Sequence, residues 1–194
     1  MGVDQSKLPD GYGPEHDARF RVVEAATLGN EGGYANRPTD RGGETMYGVS
    51  SRFLKSIGDP RTVSSLTKAD AFELYRVHFW MKPGFWRLPQ PLDAALFDEG
   101  VNAGPQWATG LLQEALNALY RTSLGLQPLV ADGVLGPKTI VRIGSAAGLE
   151  EIPEVLGEFR LKACERYRAV VAHDPTQSVN LEGWLARAGR LGDV

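Results

Sequence analysis

The chain has 194 residues, 42% hydrophobic and 23% charged, a composition that suits one domain or two small, closely packed ones with a core needing no disulfide or metal. A formal net charge of -3 argues against a nucleic-acid-binding protein, which would show a basic face, and against adhesion to an anionic wall through overall charge. No apolar run approaches the roughly 18 residues that span a bilayer, so stable membrane insertion is not expected.

Residues 1–14 are polar and rich in Gly and Pro, and read as an N-terminal tail. They lack the basic-then-apolar order of a signal peptide. Apolar Phe20, Val22, Val23, Ala26 and Leu28 predict a helix from Asp17 to about Leu28, stopped by Gly29-Asn30. The stretch from Tyr34 to Val49 reads as a loop or short hairpin, and a helix starts near Ser50. Thr67-Lys-Ala-Asp70 has the capping pattern of a helix that Pro83-Gly84 closes. Leu92 to Val101 is helical, and Asn102-Ala-Gly-Pro105 breaks it, with Pro105 in the first turn of the next helix. That next helix carries a face of Leu111, Leu112, Ala115, Leu116 and Leu119. A turn over residues 131–139 leads into a short helix. A long helix follows from about Pro153 to Ala172, then a last short one around Trp184. Cys164 lies in the long helix, where a buried, inert thiol is expected, and its being alone excludes an intramolecular disulfide.

The chemistry concentrates after the first helix. Glu31 follows the helix stop directly, Asp40 comes nine residues later, and Thr45 five after that. Four glycines and a proline between Glu31 and Thr45 let the backbone fold back, bringing a second carboxylate and a hydroxyl to face the first. Two carboxyl groups across a cleft are the apparatus for breaking a glycosidic bond. A Glu near the negative end of a helix dipole, partly buried, would keep its proton at neutral pH. Taken alone, the same residues also fit a carboxylate tethering a glycine loop, a turn aspartate and a strand threonine. Tyr34 and Tyr47 could line a sugar groove or simply pack. Asp98 and Asn102, four apart on a helix and thus on one face, could border a cleft or form a polar last turn. His16, His78 and His173 are scattered without close Cys or His partners, so no metal site is expected. No phosphate-binding glycine loop or nucleophile elbow is present, and no cofactor is implied.

Glu31-Gly-Gly-Tyr34, followed by Thr39-Asp-Arg-Gly-Gly-Glu-Thr-Met-Tyr-Gly-Val-Ser50, strongly resembles the opening motif of glycoside hydrolase family 108, the phage-type N-acetylmuramidases. Phe97-Asp-Glu-Gly-Val-Asn-Ala-Gly-Pro105, Asp132-Gly-Val-Leu-Gly-Pro-Lys-Thr139 and Gly183-Trp184-Leu185 resemble, in order, the peptidoglycan-binding region that accompanies this family. The resemblance implies a mainly α, lysozyme-like fold with a small β-hairpin or loop element beside the active site. It implies Glu31 as the catalytic acid and cleavage of the β-1,4 bond from N-acetylmuramic acid to N-acetylglucosamine. The order Glu31, Asp40, Thr45 also resembles the triad of phage lysozymes, with the second interval one residue shorter here. The expected division is a catalytic segment over residues 15–95 and a helical peptidoglycan-binding-like segment over 96–194, packed as one compact monomeric unit. Bacterial peptidoglycan is the expected partner. The protein would be made in the cytoplasm and reach the wall through a holin or another export route. Two other readings stay open: a lytic transglycosylase cleaving the same bond, and a non-catalytic wall-binding or secretion-assisting module.

Overall fold

The computed structural model describes residues 8–29, 34–35, 44–120 and 127–194. The chain divides into two compact units, Met1–Trp80 and Met81–Val194.

In the first unit, α1 (Pro14–Leu28) begins with Pro14 in its first turn, where the missing N–H costs no hydrogen bond, and with Glu15 and Asp17 facing the positive end of the helix dipole. Tyr12 falls in the segment read as a tail, yet it is buried. Its hydroxyl donates to Asp17 Oδ1 at 2.8 Å, and the same oxygen accepts from Arg76 at 3.2 Å. Arg76, itself buried, also forks onto Glu73 with bonds of 2.8 and 2.6 Å. One guanidinium thus ties the start of α1 to α3 (Lys68–Tyr75). Phe20 and Val23 supply the buried stripe of α1, with the Phe20 ring edge-on to Phe72 at 4.9 Å and tilted against Trp80 at 5.7 Å.

α3 starts as its sequence requires. Thr67 Oγ1 accepts from the Asp70 N–H at 3.2 Å, and Asp70 Oδ2 accepts from the Thr67 N–H at 2.8 Å, a reciprocal capping box. Past Tyr75 the helix widens into a π-helical turn over Arg76–Met81. α2 (Ser51–Ser56) is short, and Ser50 caps it by accepting from the Phe53 N–H at 3.1 Å.

The β element has three strands of two residues each: β1 (Tyr34–Ala35), β2 (Thr45–Met46) and β3 (Val49–Ser50), antiparallel in the order β1-β2-β3. Ala35 opposes Thr45, which opposes Ser50, while Met46 lies between Tyr34 and Val49. The two residues joining β2 to β3, Tyr47 and Gly48, have φ of 50° and 75°, as a type I′ turn demands. A Cβ on Gly48 would also sit 2.6 Å from the Tyr75 hydroxyl. Gly48→Ala is therefore expected to lower stability by about 1–2 kcal/mol through the left-handed backbone alone, with the clash adding to it. Urea unfolding measures this, and an unchanged midpoint would count against the turn as described.

The second unit is helical: α4 (Leu92–Ala103), α5 (Pro105–Tyr120), α6 (Pro137–Gly148), α7 (Ile152–His173) and α8 (Ser178–Ala188). α4 is largely buried, with Leu92, Ala94, Ala95, Leu96 and Phe97 inaccessible. It runs two residues beyond the expected end, to Ala103, so Asn102 is helical and Gly104 makes the break before Pro105. α5 packs on both α4 and α7 and buries Leu111, Leu112, Ala115 and Leu116, while α7 buries the stripe Val155, Phe159 and Ala163. Cys164, next to Ala163, lies at the edge of that stripe and is half-buried rather than fully enclosed.

Two amides of α5 organise the segment that precedes α6. The Gln113 side chain donates to Asp132 Oδ1 (2.9 Å), the Val134 carbonyl (3.0 Å) and Thr139 Oγ1 (3.2 Å), and accepts from the Gly133 N–H at 2.9 Å. One turn further on, the Asn117 amide bonds both the carbonyl and the N–H of Leu129, at 2.8 and 2.7 Å. Gly133 is required here, because its φ is 74° and a Cβ would fall 2.5 Å from the Gln106 carbonyl oxygen.

Candidate active site

Glu31 and Asp40 lie outside the described residues, as does most of the loop that joins them. The frame on either side is described. α1 ends at Gly29, whose N–H bonds the Ala25 carbonyl at 3.0 Å, and its last turn holds no Lys, Arg or His. The negative end of its dipole is therefore not neutralised by a basic side chain of its own.

Downstream, Thr45 and Tyr47 sit on β2 and the turn that follows, and Tyr34 sits on β1. Successive strand residues point to opposite faces. Val49 is buried and pairs with Met46, so Thr45 and Ser50 share the face turned away from that core. Thr45 and Tyr47 are both half-buried. Tyr47 holds a left-handed backbone that a non-glycine residue adopts only at a cost in energy, a kind of strain that clusters at functional sites.

In the second unit Asp98 and Asn102 both lie on α4 and take different partners. Asp98 turns to α8: its Oδ1 accepts from Arg187 Nε at 2.6 Å, and its carbonyl accepts from the same guanidinium at 3.1 Å. Burial raises the Asp98 carboxyl above its ordinary value, and Arg187 pulls it back. Asn102, on the exposed end of α4, turns instead to α7. Its amide donates to the Tyr167 hydroxyl at 2.6 Å, which in turn donates to the Glu99 carboxyl, 2.7 Å from both oxygens.

Glu99 is the residue that spacing arguments miss. It is inaccessible to solvent, and desolvation pushes its carboxyl up to about 7, against the opposing pull of Tyr167 and Arg187. The Tyr167 ring stacks on Trp184 at 5.2 Å, so α4, α7 and α8 meet at this polar network. A signal was present in the sequence: Glu99 falls three and four residues after Leu96 and Ala95, on the apolar stripe of α4, where a charged residue is out of place. Among the described residues no cluster of three His, Cys, Asp or Glu side chains could hold a metal ion. None of their helices is long and apolar enough to cross a membrane.

Residues 25–104 match the glycosyl hydrolase 108 family, and residues 107–189 match the predicted peptidoglycan domain. The solved structure of Brucella abortus SagA is similar over 91% of this chain and 93% of that one, with 26% sequence identity and a TM-score of 0.70. Among curated proteins, none matches. The mainly α, lysozyme-like fold and the two matches in this order define a glycoside hydrolase that degrades peptidoglycan. The first half of the chain thus carries a glycosyl hydrolase 108 match, followed in order by a match to the predicted peptidoglycan domain. The two matches meet at the junction of α4 and α5, so α4 is hydrolase by sequence while it packs on the helices of the second unit.

Proposed function

We propose that the protein is an N-acetylmuramidase, hydrolysing the β-1,4 bond between N-acetylmuramic acid and N-acetylglucosamine, with Glu31 as general acid. The observation that carries this reading is the hydrolase match over residues 25–104, which contains the Glu31 motif directly after α1. Glu31 follows the last residue of that helix by three positions, and the helix's own last turn supplies no basic side chain to hold the carboxyl ionised. Glu31 gives its proton to the leaving glycosidic oxygen. Asp40 stabilises the oxocarbenium-like transition state or orients water on the opposite face, and Thr45 assists in holding that water. Tyr34 and Tyr47 offer aromatic faces to the sugar rings. Asp98 and Asn102 serve substrate binding from α4, Asp98 braced by Arg187 and Asn102 by Tyr167. The enzyme works as a monomer and reaches the wall by a holin or another export route.

The test is mass spectrometry of the fragments released from purified peptidoglycan. Hydrated, reducing-end muramic acid is the expected product. Anhydro ends, lighter by one water, would reassign the chain as a lytic transglycosylase. No release from a wall that a control lysozyme digests would leave only a wall-binding module.

A further inference from the structure

We propose that a cleft between α5, α6 and α7, in the peptidoglycan domain, binds the charged peptide portion of peptidoglycan, with Arg142 clamping a peptide carboxylate. The cleft encloses about 380 Å³, within the range of roughly 300–1,000 Å³ usual for ligand sites. Arg142, from α6, lines it and is only 8% exposed. Its guanidinium donates to the Gln127 carbonyl at 3.1 Å and lies 6.0 Å from the centre of the Tyr120 ring. A guanidinium carries five N–H donors in a planar fork. Among the described residues, no carboxylate comes within ion-pair distance of this one. Glu151 is engaged by the Tyr120 hydroxyl at 2.6 Å rather than by the guanidinium, so a carboxylate entering the cleft could make two parallel charge-assisted bonds to Arg142.

The other walls narrow the ligand further. Glu114 on α5 and Glu165 on α7 face the same space and are 38% and 62% exposed, leaving room for an incoming amine. Each already has a cationic neighbour, Arg166 at 3.4 Å and Lys162 at 2.8 Å, so the cleft carries both signs rather than a single field. The glycan, its lactyl carboxyl tied up in the amide to the peptide, brings no charge to this pattern. A short peptide with free carboxylates and an amine does, and in peptidoglycan the stem peptides carry those charges. The inference rests on peptidoglycan as substrate and adds that the second unit reads its peptides, not its sugars.

The experiment is calorimetric titration of the full-length protein with a disaccharide-peptide fragment, a disaccharide of N-acetylglucosamine that carries neither peptide nor carboxylate, and the free peptide. The wild type is expected to bind both peptide-bearing ligands more tightly than the bare disaccharide. Folded Arg142→Gln should lose at least about tenfold in affinity for them. Equal affinities with and without peptide, or no loss in the variant, would overturn the assignment. Should Arg142→Gln fail to fold, amide chemical shifts of the wild type decide the matter. Peptide-induced shifts must centre on Ala118, Arg142 and Glu165, and shifts confined elsewhere defeat the proposal. Hydrolysis of purified peptidoglycan is measured in parallel. Its absence in the wild type would count against the muramidase reading and leave the binding result standing.

Discussion

Glu31→Gln is expected to lower kcat on purified peptidoglycan by about 10²–10⁴-fold while leaving KM and wall binding nearly unchanged. The amide keeps the size and polarity of the side chain but has no proton to give to the leaving oxygen, and positioned proton transfer contributes a factor of that order. The change should appear as a loss of turnover, because the interaction removed exists only in the transition state. Turnover numbers from dye-release or turbidity assays, with pull-down on insoluble wall as the binding control, provide the comparison. A variant retaining more than a tenth of wild-type turnover would remove Glu31 from the acid role. Asp40→Asn in the same assay separates the mechanisms. A deep loss supports a second carboxylate in the transition state, and a mild one favours the single-Glu chemistry of a transglycosylase.

The second large effect is on stability and belongs to Glu99. In the folded protein its carboxyl holds a proton up to about pH 7, whereas in the unfolded chain it releases it near its ordinary value of 4.5. Between those values the folded state binds more protons, so stability falls as pH rises. The contribution is complete below about pH 4.5 and lost as pH passes through about 7, and amounts to something on the order of 2–4 kcal/mol. Other groups facing this carboxyl are Asp98, whose charge works in the same direction, and Arg187, which opposes it. Glu99→Gln removes the titration while still offering an acceptor to Tyr167. Unfolding free energies at pH 5 and pH 8 should differ by less in the variant than in the wild type. Equal differences would mean that the carboxyl is charged and compensated across the whole interval.

Much of the architecture is legible from short-range chemistry. The Thr67–Asp70 box, Pro105 opening α5 and the apolar stripe of α5 each state their element locally, because capping and 3.6-residue periodicity need only neighbours in sequence. The end of α4 is less legible. Asn102 looks like a breaker, but its bond to Tyr167, 65 residues away, draws it into the helix. Cys164 reads as enclosed because it neighbours the apolar stripe, although the stripe runs through Ala163. The candidate site divides the same way. The Glu31 motif can be read as a string, and the hairpin follows from the residues around Gly48. The Glu99 network and the Arg142 cleft cannot be read so, since each is assembled by three helices from distant parts of the chain.

The two amides of α5 carry a consequence for how this region can change. Residues 127–136 form neither helix nor strand, and Val130 and Val134 point into solvent at 77% and 59% exposure. The shape of the segment is set largely from outside, by Gln113 and Asn117 reaching its backbone. Because those bonds address carbonyls and N–H groups more than side chains, the loop can drift in sequence while its path stays fixed. Much of the heritable constraint on its conformation therefore resides outside the loop, in two codons of a neighbouring helix and in Arg87 and Arg142, which bond the Leu135 and Gln127 carbonyls, and within it in a glycine that must remain a glycine.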